Sequence, residues 1–287
     1  MQARLATWAH ARLAKTMVLF WGHPHTSGLP NTIDYFISGD GFEPRNRARF
    51  DAYSEQLVRF ETSGVYFRHP RDAGYMSSDD AALDERAALL RRRLNVPADA
   101  TLYVCPQSLP KFHPAFDDVL LRLASDAIVL ITYDPAKTLW RNVLRDRLET
   151  TAALRGVSAN NVRFEPLVTG EDFFGLLRAA TLLLDPYPFG GGVTTLEAFS
   201  VCRAVVTAPA LQSVVTLAAG FYELMGLDDA PVVSDADAYV EKARALAADD
   251  DARRTLEASI CAAGGAIFAS DDAVDEWARF LKRVSRR

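Results

Sequence analysis

The sequence is poor in cysteine: 287 residues hold three, Cys105, Cys202 and Cys261, with no CxxC pair. So odd and widely spaced a set predicts neither a disulfide framework nor a zinc site, and fits a reducing compartment. Long apolar runs are missing too. Nothing approaches the ~20 residues of a membrane helix, and the opening MQARLATWAHARLAKTMVLFW has no signal-peptide apolar core. Basic charge is in deficit, with 32 Lys and Arg against 37 Asp and Glu, a net charge of −5. A protein that binds nucleic acid through its phosphates needs a basic face. No internal repeat or low-complexity tract is visible. These absences predict a cytoplasmic or nucleocytoplasmic protein with neither nucleic acid nor membrane as partner. A local site for one nucleotide phosphate stays compatible with them.

What is present is an alternation of short apolar runs and amphipathic stretches. The first third is mixed: a strand at Met17–Trp21, the loop GHPHTSGLPN, a strand at Asp34–Ile37, a helix over Arg45–Phe60, a strand at Val65–Phe67 and a helix over Asp79–Leu94. That helix is acidic at its start and basic at its end, as the macrodipole favours, and its Arg91–Arg93 run reads as a solvated last turn. From Thr101 the pattern is regular. Strands are expected at Thr101–Cys105, Ala127–Thr132, Val162–Glu165, Thr181–Asp185, Ala204–Thr207 and Pro231–Val233, with helices between them and three more before the end. Continuous apolar strands alternating with helices predict an α/β fold with a doubly wound parallel sheet. Ligands of such sheets bind beyond the carboxyl ends of the strands.

One strand-to-helix turn, DPYPFGGGVTTLEAFS (185–200), carries three consecutive glycines. Glycine loses more backbone entropy on folding than any other residue, so a run of three implies something approaching the main chain closely. A diphosphate on the free N–H groups of the following helix start fits, aided by the hydroxyls of Thr194 and Thr195. The loop is not a Walker A motif, lacking Lys-Ser/Thr after the glycines. It also fails the dinucleotide fingerprint, having Thr195 in place of the third glycine. Glu197 admits two readings: a carboxylate receiving the hydroxyls of a ribose, or the distal member of a Thr194-x-x-Glu197 capping box. His23-Pro24-His25 lacks a third metal ligand nearby. Asp235-Ala236-Asp237 follows Ser234 as a helix-capping turn.

The segment DPYPFGGGVTTLEAFSVCRAVVTAP resembles the donor-binding segment of GT-B nucleotide-sugar glycosyltransferases. LFWGHPHTSGLPNTIDYFISGD (19–40) and LYVCPQSLPKFHP (102–114) narrow the resemblance to the O-GlcNAc transferase / SPINDLY-like family, glycosyltransferase family 41. The three occur in that family's order. The resemblance implies a GT-B fold with a Rossmann-like donor lobe at 99–268, a partial N-terminal lobe at 1–98, and a C-terminal helix at 269–287 packing back on that lobe. It implies inverting, metal-independent transfer of a sugar from UDP-GlcNAc, or a GDP-sugar, to protein Ser/Thr hydroxyls, with no cofactor. Lys111 is expected at the diphosphate as a catalytic cation, with Ser108, Gly191, Gly192, Val193, Thr194 and Thr195 around it. Glu197 is expected at the ribose, Leu167 and Val168 at the base, and Gly22 and His23 facing the sugar, His23 being the one general-base candidate. Val193 stands where many members have His, and the N-terminal lobe is shorter than the family's. Two rivals are a catalytically silent nucleotide-sugar-binding module that needs a partner chain, and an NAD-dependent oxidoreductase.

Overall fold

The computed structural model describes residues 8–21, 26–43, 53–77, 79–208 and 216–286. Among the described residues eight strands form two sheets. The first sheet holds β1 (Val18–Phe20), β2 (Tyr35–Gly39) and β3 (Gln56–Phe60), in that order and all parallel. The second holds β4 (Leu102–Cys105), β5 (Ile128–Tyr133), β6 (Val162–Pro166), β7 (Leu182–Leu184) and β8 (Val205–Val206). Its order is β6-β5-β4-β7-β8, again all parallel. Every residue of β4, β7 and β8 is buried, the signature of strands covered on both faces.

Nine α-helices stand among the described residues: α1 (Asp80–Arg93), α2 (Asp117–Leu123), α3 (Thr138–Arg155), α4 (Glu171–Ala179), α5 (Val193–Ser200), α6 (Leu217–Leu224), α7 (Ala236–Ala248), α8 (Asp250–Ala263) and α9 (Asp271–Val284). Their ends are chemically marked. Asp79, Asp235, Asp249 and Ser270 each accept a backbone N–H at a helix start, a cap whose loss costs about 1 kcal/mol. Gly156 ends α3 in the left-handed conformation that glycine adopts without strain. α9 returns to the first sheet, where Phe280 and Val284 pack with Ile37 and Phe60 and the Glu276 carboxylate accepts the N–H groups of Glu61 and Thr62.

The two sheets meet where Phe42 packs edge-on against Phe221. A Cβ on Gly220 would overlap the Phe42 ring and stand 2.6 Å from the Gly41 carbonyl oxygen, so this seam closes only around a glycine.

Four expectations are corrected. Gln56–Phe60 is a strand paired with Tyr35–Gly39, not the end of a helix; residues 45–52 of the expected helix lie outside the described residues. Val65–Phe67 is not a strand. Its backbone bonds instead to Ser63 Oγ and, through the Phe67 carbonyl, to Ala269 N. Pro231–Val233 contributes one isolated bridge, Thr207 to Val232. Finally, Cys202 and Cys261 form a disulfide with Cα atoms 5.1 Å apart, because the end of α5 and the body of α8 pack together; Cys105 alone is a free, buried thiol.

Candidate functional site

The loops after β4, β5 and β6 and the start of α5 line a cavity of about 1020 Å³. Ser108, Val193, Thr194, Glu197, Leu167 and Val168, expected at a nucleotide from the sequence, all line it. They come from two loops and a helix brought together by one sheet edge, the place where doubly wound sheets bind ligands.

Helix α5 starts bare. Its N-cap is Gly192, with no side-chain cap. Thr195 N and Leu196 N bond to the Gly192 carbonyl, and among the described residues no protein acceptor takes the amides of Gly192, Val193 or Thr194. A bare helix start presents N–H groups and partial positive charge to an anion. The capping box is excluded, since Thr194 lies inside the first turn and caps nothing. Glu197 instead faces the cavity. Burial, with no compensating charge, pushes its carboxyl up to about 7.

The glycines are explained from beneath. A Cβ on Gly190 would stand 2.5 Å from Asp185 Oδ2. One on Gly191 would overlap Gln107 Nε2 and come within 2.8 Å of Thr195 Oγ1, and one on Gly192 would lie 3.0 Å from Leu217 Cδ1. The turn is thus pressed onto the protein's own side chains. Its keystone is Asp185, buried at the end of β7, which the sequence reading did not single out. Gly191 N donates to Asp185 Oδ1 at 2.5 Å and Thr207 Oγ1 to Oδ2 at 2.8 Å. Burial raises its carboxyl to about 6, opposed by those two bonds and by Lys111. The available signal was its position: an acidic residue at the carboxyl end of an apolar strand.

Some expected residues stand elsewhere. The Gly191 amide is held by Asp185 and so is not offered to a ligand. Thr195 is buried under the turn, its Oγ1 without a partner among the described residues. Lys111 does not line the cavity. Its ammonium donates to Gln107 Oε1 at 2.9 Å and to the Gly190 carbonyl at 2.8 Å, lying 4.9 Å from the centre of the Phe189 ring. Burial lowers its pKa, with Asp185 opposing. Lys111 therefore ties the loop after β4 to the glycine turn. At the other end, the Leu167 amide donates to the Tyr133 carbonyl at 2.8 Å and is not free to read a base. Gly22 and His23 lie outside the described residues. Trp21, just before them, is held by Ser63 O and reaches to 3.9 Å of where a Gly192 Cβ would be.

Among the described residues no three His, Cys, Asp or Glu side chains cluster as metal ligands. Asp235 of the DAD stretch caps α7 and Asp237 pairs with Arg122 at 2.6 Å. No helix among the described residues is long and apolar enough to cross a membrane.

No protein-family model matches the chain, and no curated protein matches it in sequence. Solved structures match it in fold. A mutant of the Thermobaculum terrenum O-GlcNAc transferase superposes with a TM-score of 0.70 at 19% identity, over 96% of this chain and 48% of that one. The fold is GT-B. The sucrose-phosphate synthase of Thermosynechococcus elongatus follows at TM-score 0.57 and 16% identity, covering 90% of this chain and 60% of the synthase. Anabaena HepE, in complex with UDP and glucose, gives 0.60 and 16%, over 88% and 64%. The chain therefore spans about half to two-thirds of the length of these GT-B proteins.

Proposed function

We propose that this chain binds a nucleoside-diphosphate sugar in the cavity and acts in glycosyl transfer, most closely as a family 41-type enzyme moving GlcNAc from UDP-GlcNAc to protein Ser/Thr hydroxyls with inversion. The observation that carries the reading is the meeting, in one cavity, of a bare helix start with Ser108, Thr194 and the unpaired carboxylate of Glu197. The amides of 192–194 take the diphosphate and Glu197 the ribose hydroxyls. The base lies toward Leu167 and Val168. Neighbouring GT-B structures hold UDP and UDP-glucose, which supports a uridine donor.

In transfer, negative charge develops on the departing diphosphate. The helix start stabilises it, and so does the nearby Lys111 once it exchanges the Gly190 carbonyl for a phosphate oxygen. These fixed positive groups take the place of a divalent ion, so added chelator leaves the reaction rate unchanged. His23 remains the general-base candidate.

The test is calorimetric titration with UDP, GDP, UDP-GlcNAc and GDP-fucose, repeated on Lys111→Ala. Binding of at least one nucleotide sugar, weakened in the mutant, is expected; no binding by any of the four overturns the reading. A second reading is a silent donor-binding module that needs a partner chain. Sugar transfer onto a Ser/Thr peptide library by the isolated chain eliminates it.

A further inference from the structure

We propose that the nucleotide's base is held by stacking on Trp140, and that this end of the cavity takes uracil and guanine alike; the proposal rests on the donor-binding reading above. Position gives the first argument. In the order β6-β5-β4-β7-β8, the glycine turn and Ser108 follow β7 and β4. A nucleotide lying across the strand ends with its phosphates there extends its base over β5 and β6. Trp140 stands in the first turn of α3, directly after β5, lines the cavity, and keeps 50% of its surface exposed. Leu167, after β6, lines the same cavity and is 41% exposed. Two large apolar side chains left open at the cavity wall gain by covering a flat ring.

The second argument is what the surrounding polar groups no longer offer. Uracil presents carbonyl, N–H, carbonyl along its pairing edge; guanine presents carbonyl, N–H, amino. A site that separates them needs fixed donors or acceptors. Here the Leu167 amide is bonded to Tyr133. The Asp134 carboxylate accepts from Ala136 N at 3.0 Å and pairs with Lys137 at 3.0 Å, so acid and base neutralise each other. Among the side chains at this end, the Thr132, Tyr133 and Thr169 hydroxyls rotate to donate or accept. Stacking is indifferent to the edge, because every base has a π face.

The start of α3 is also fixed. The guanidinium of Arg141, the residue after Trp140, lies 5.2 Å from the centre of the Tyr133 ring, a cation–π contact that fastens the helix to the end of β5.

UDP, GDP and pyrophosphate are titrated by calorimetry into the full chain and into Trp140→Ala and Trp140→Phe, with thermal unfolding of each protein as a folding control. The wild type binds UDP and GDP within a few-fold of each other. Trp140→Ala weakens both by roughly ten- to a hundred-fold, leaves pyrophosphate unchanged, and Trp140→Phe restores most of the loss. Unchanged nucleotide binding in folded Trp140→Ala overturns the proposal, as does a preference of more than tenfold for one base in the wild type. A wild type that binds none of the three ligands overturns the donor-site reading itself, a result distinct from failure at the base.

Discussion

On the donor-site proposal, Glu197 makes donor binding depend on pH in a direction fixed by its surroundings. The free protein holds this carboxyl at about 7, raised from 4.5 by burial alone. Ribose hydroxyls donate to a carboxylate and not to a carboxylic acid, so bound donor favours the ionised form and binding releases a proton. With the titration centred near 7, only about 3% of Glu197 is ionised at pH 5.5 and about 90% at pH 8, so affinity rises by about thirty-fold across that range. The ligand must be UDP-GlcNAc, whose diphosphate is esterified at both ends and does not titrate there. Calorimetry at pH 6.5, in buffers of different ionisation enthalpy, reads the release directly: up to about three-quarters of a proton per donor bound. Asp185, at about 6, titrates in part of the same window, and Glu197→Gln separates the two. The mutant loses the step near 7 and keeps any step near 6. A wild-type affinity flat from pH 5.5 to 8, or a step near 7 that survives in Glu197→Gln, refutes the assignment of the ribose to Glu197.

The same carboxyl affects folding. Because its folded value lies above the unfolded one, its stabilising contribution is full below about 4.5 and is lost as pH rises through about 7. Discounted for partial exposure, Glu197→Gln stabilises the unliganded protein by about 1–2 kcal/mol at pH 8 and much less at pH 5, read as denaturant midpoints. Asp185→Asn places an amide nitrogen against Gly191 N or Thr207 Oγ1 and costs about 1–3 kcal/mol, with a matching loss of UDP affinity; thermal unfolding and titration measure both. Gly191→Ala drives a methyl into Gln107, displaces Lys111 from its place, and destabilises by about 1–3 kcal/mol while weakening UDP binding. Gly220→Ala forces Phe42 out of the seam between the sheets at a comparable cost in unfolding free energy.

The regular half of the fold is legible because its strands are continuous apolar runs such as AIVLIT and TLLLD, which periodicity finds directly. The first sheet is harder. Phe50, Tyr53, Leu57 and Phe60 recur at the spacing of a helix face, yet pairing with Tyr35–Gly39 makes Gln56–Phe60 a strand. A partner some twenty residues away decides the matter, and local pattern does not contain it. The same holds for Cys202 and Cys261, 59 residues apart in sequence. In the site, Ser108, Thr194, Glu197, Leu167 and Val168 do share one cavity. The orientation of Lys111, Thr195 and the Gly191 amide was not legible, because each is set by the buried layer beneath the turn.

That layer changes what the three glycines mean. Read as sequence, they point to a ligand that needs bare backbone. In the fold, Gly190 and Gly191 lie against Asp185, Gln107 and Thr195, and Gly192 against Leu217. The two explanations are linked by the hydrogen-bond geometry. Asp185 holds the Gly191 amide down, and the next three amides emerge without a side-chain cap and, among the described residues, without a protein acceptor. Had a Ser, Thr or Asp stood at Gly192, its oxygen would cap the N–H groups that an anion needs. Glycine at that position keeps the helix start open, and the close packing under Gly190 and Gly191 keeps it in place. On the donor-site proposal, affinity for a diphosphate depends on side chains that never touch it, and Asp185→Asn is expected to weaken donor binding from a position wholly behind the turn.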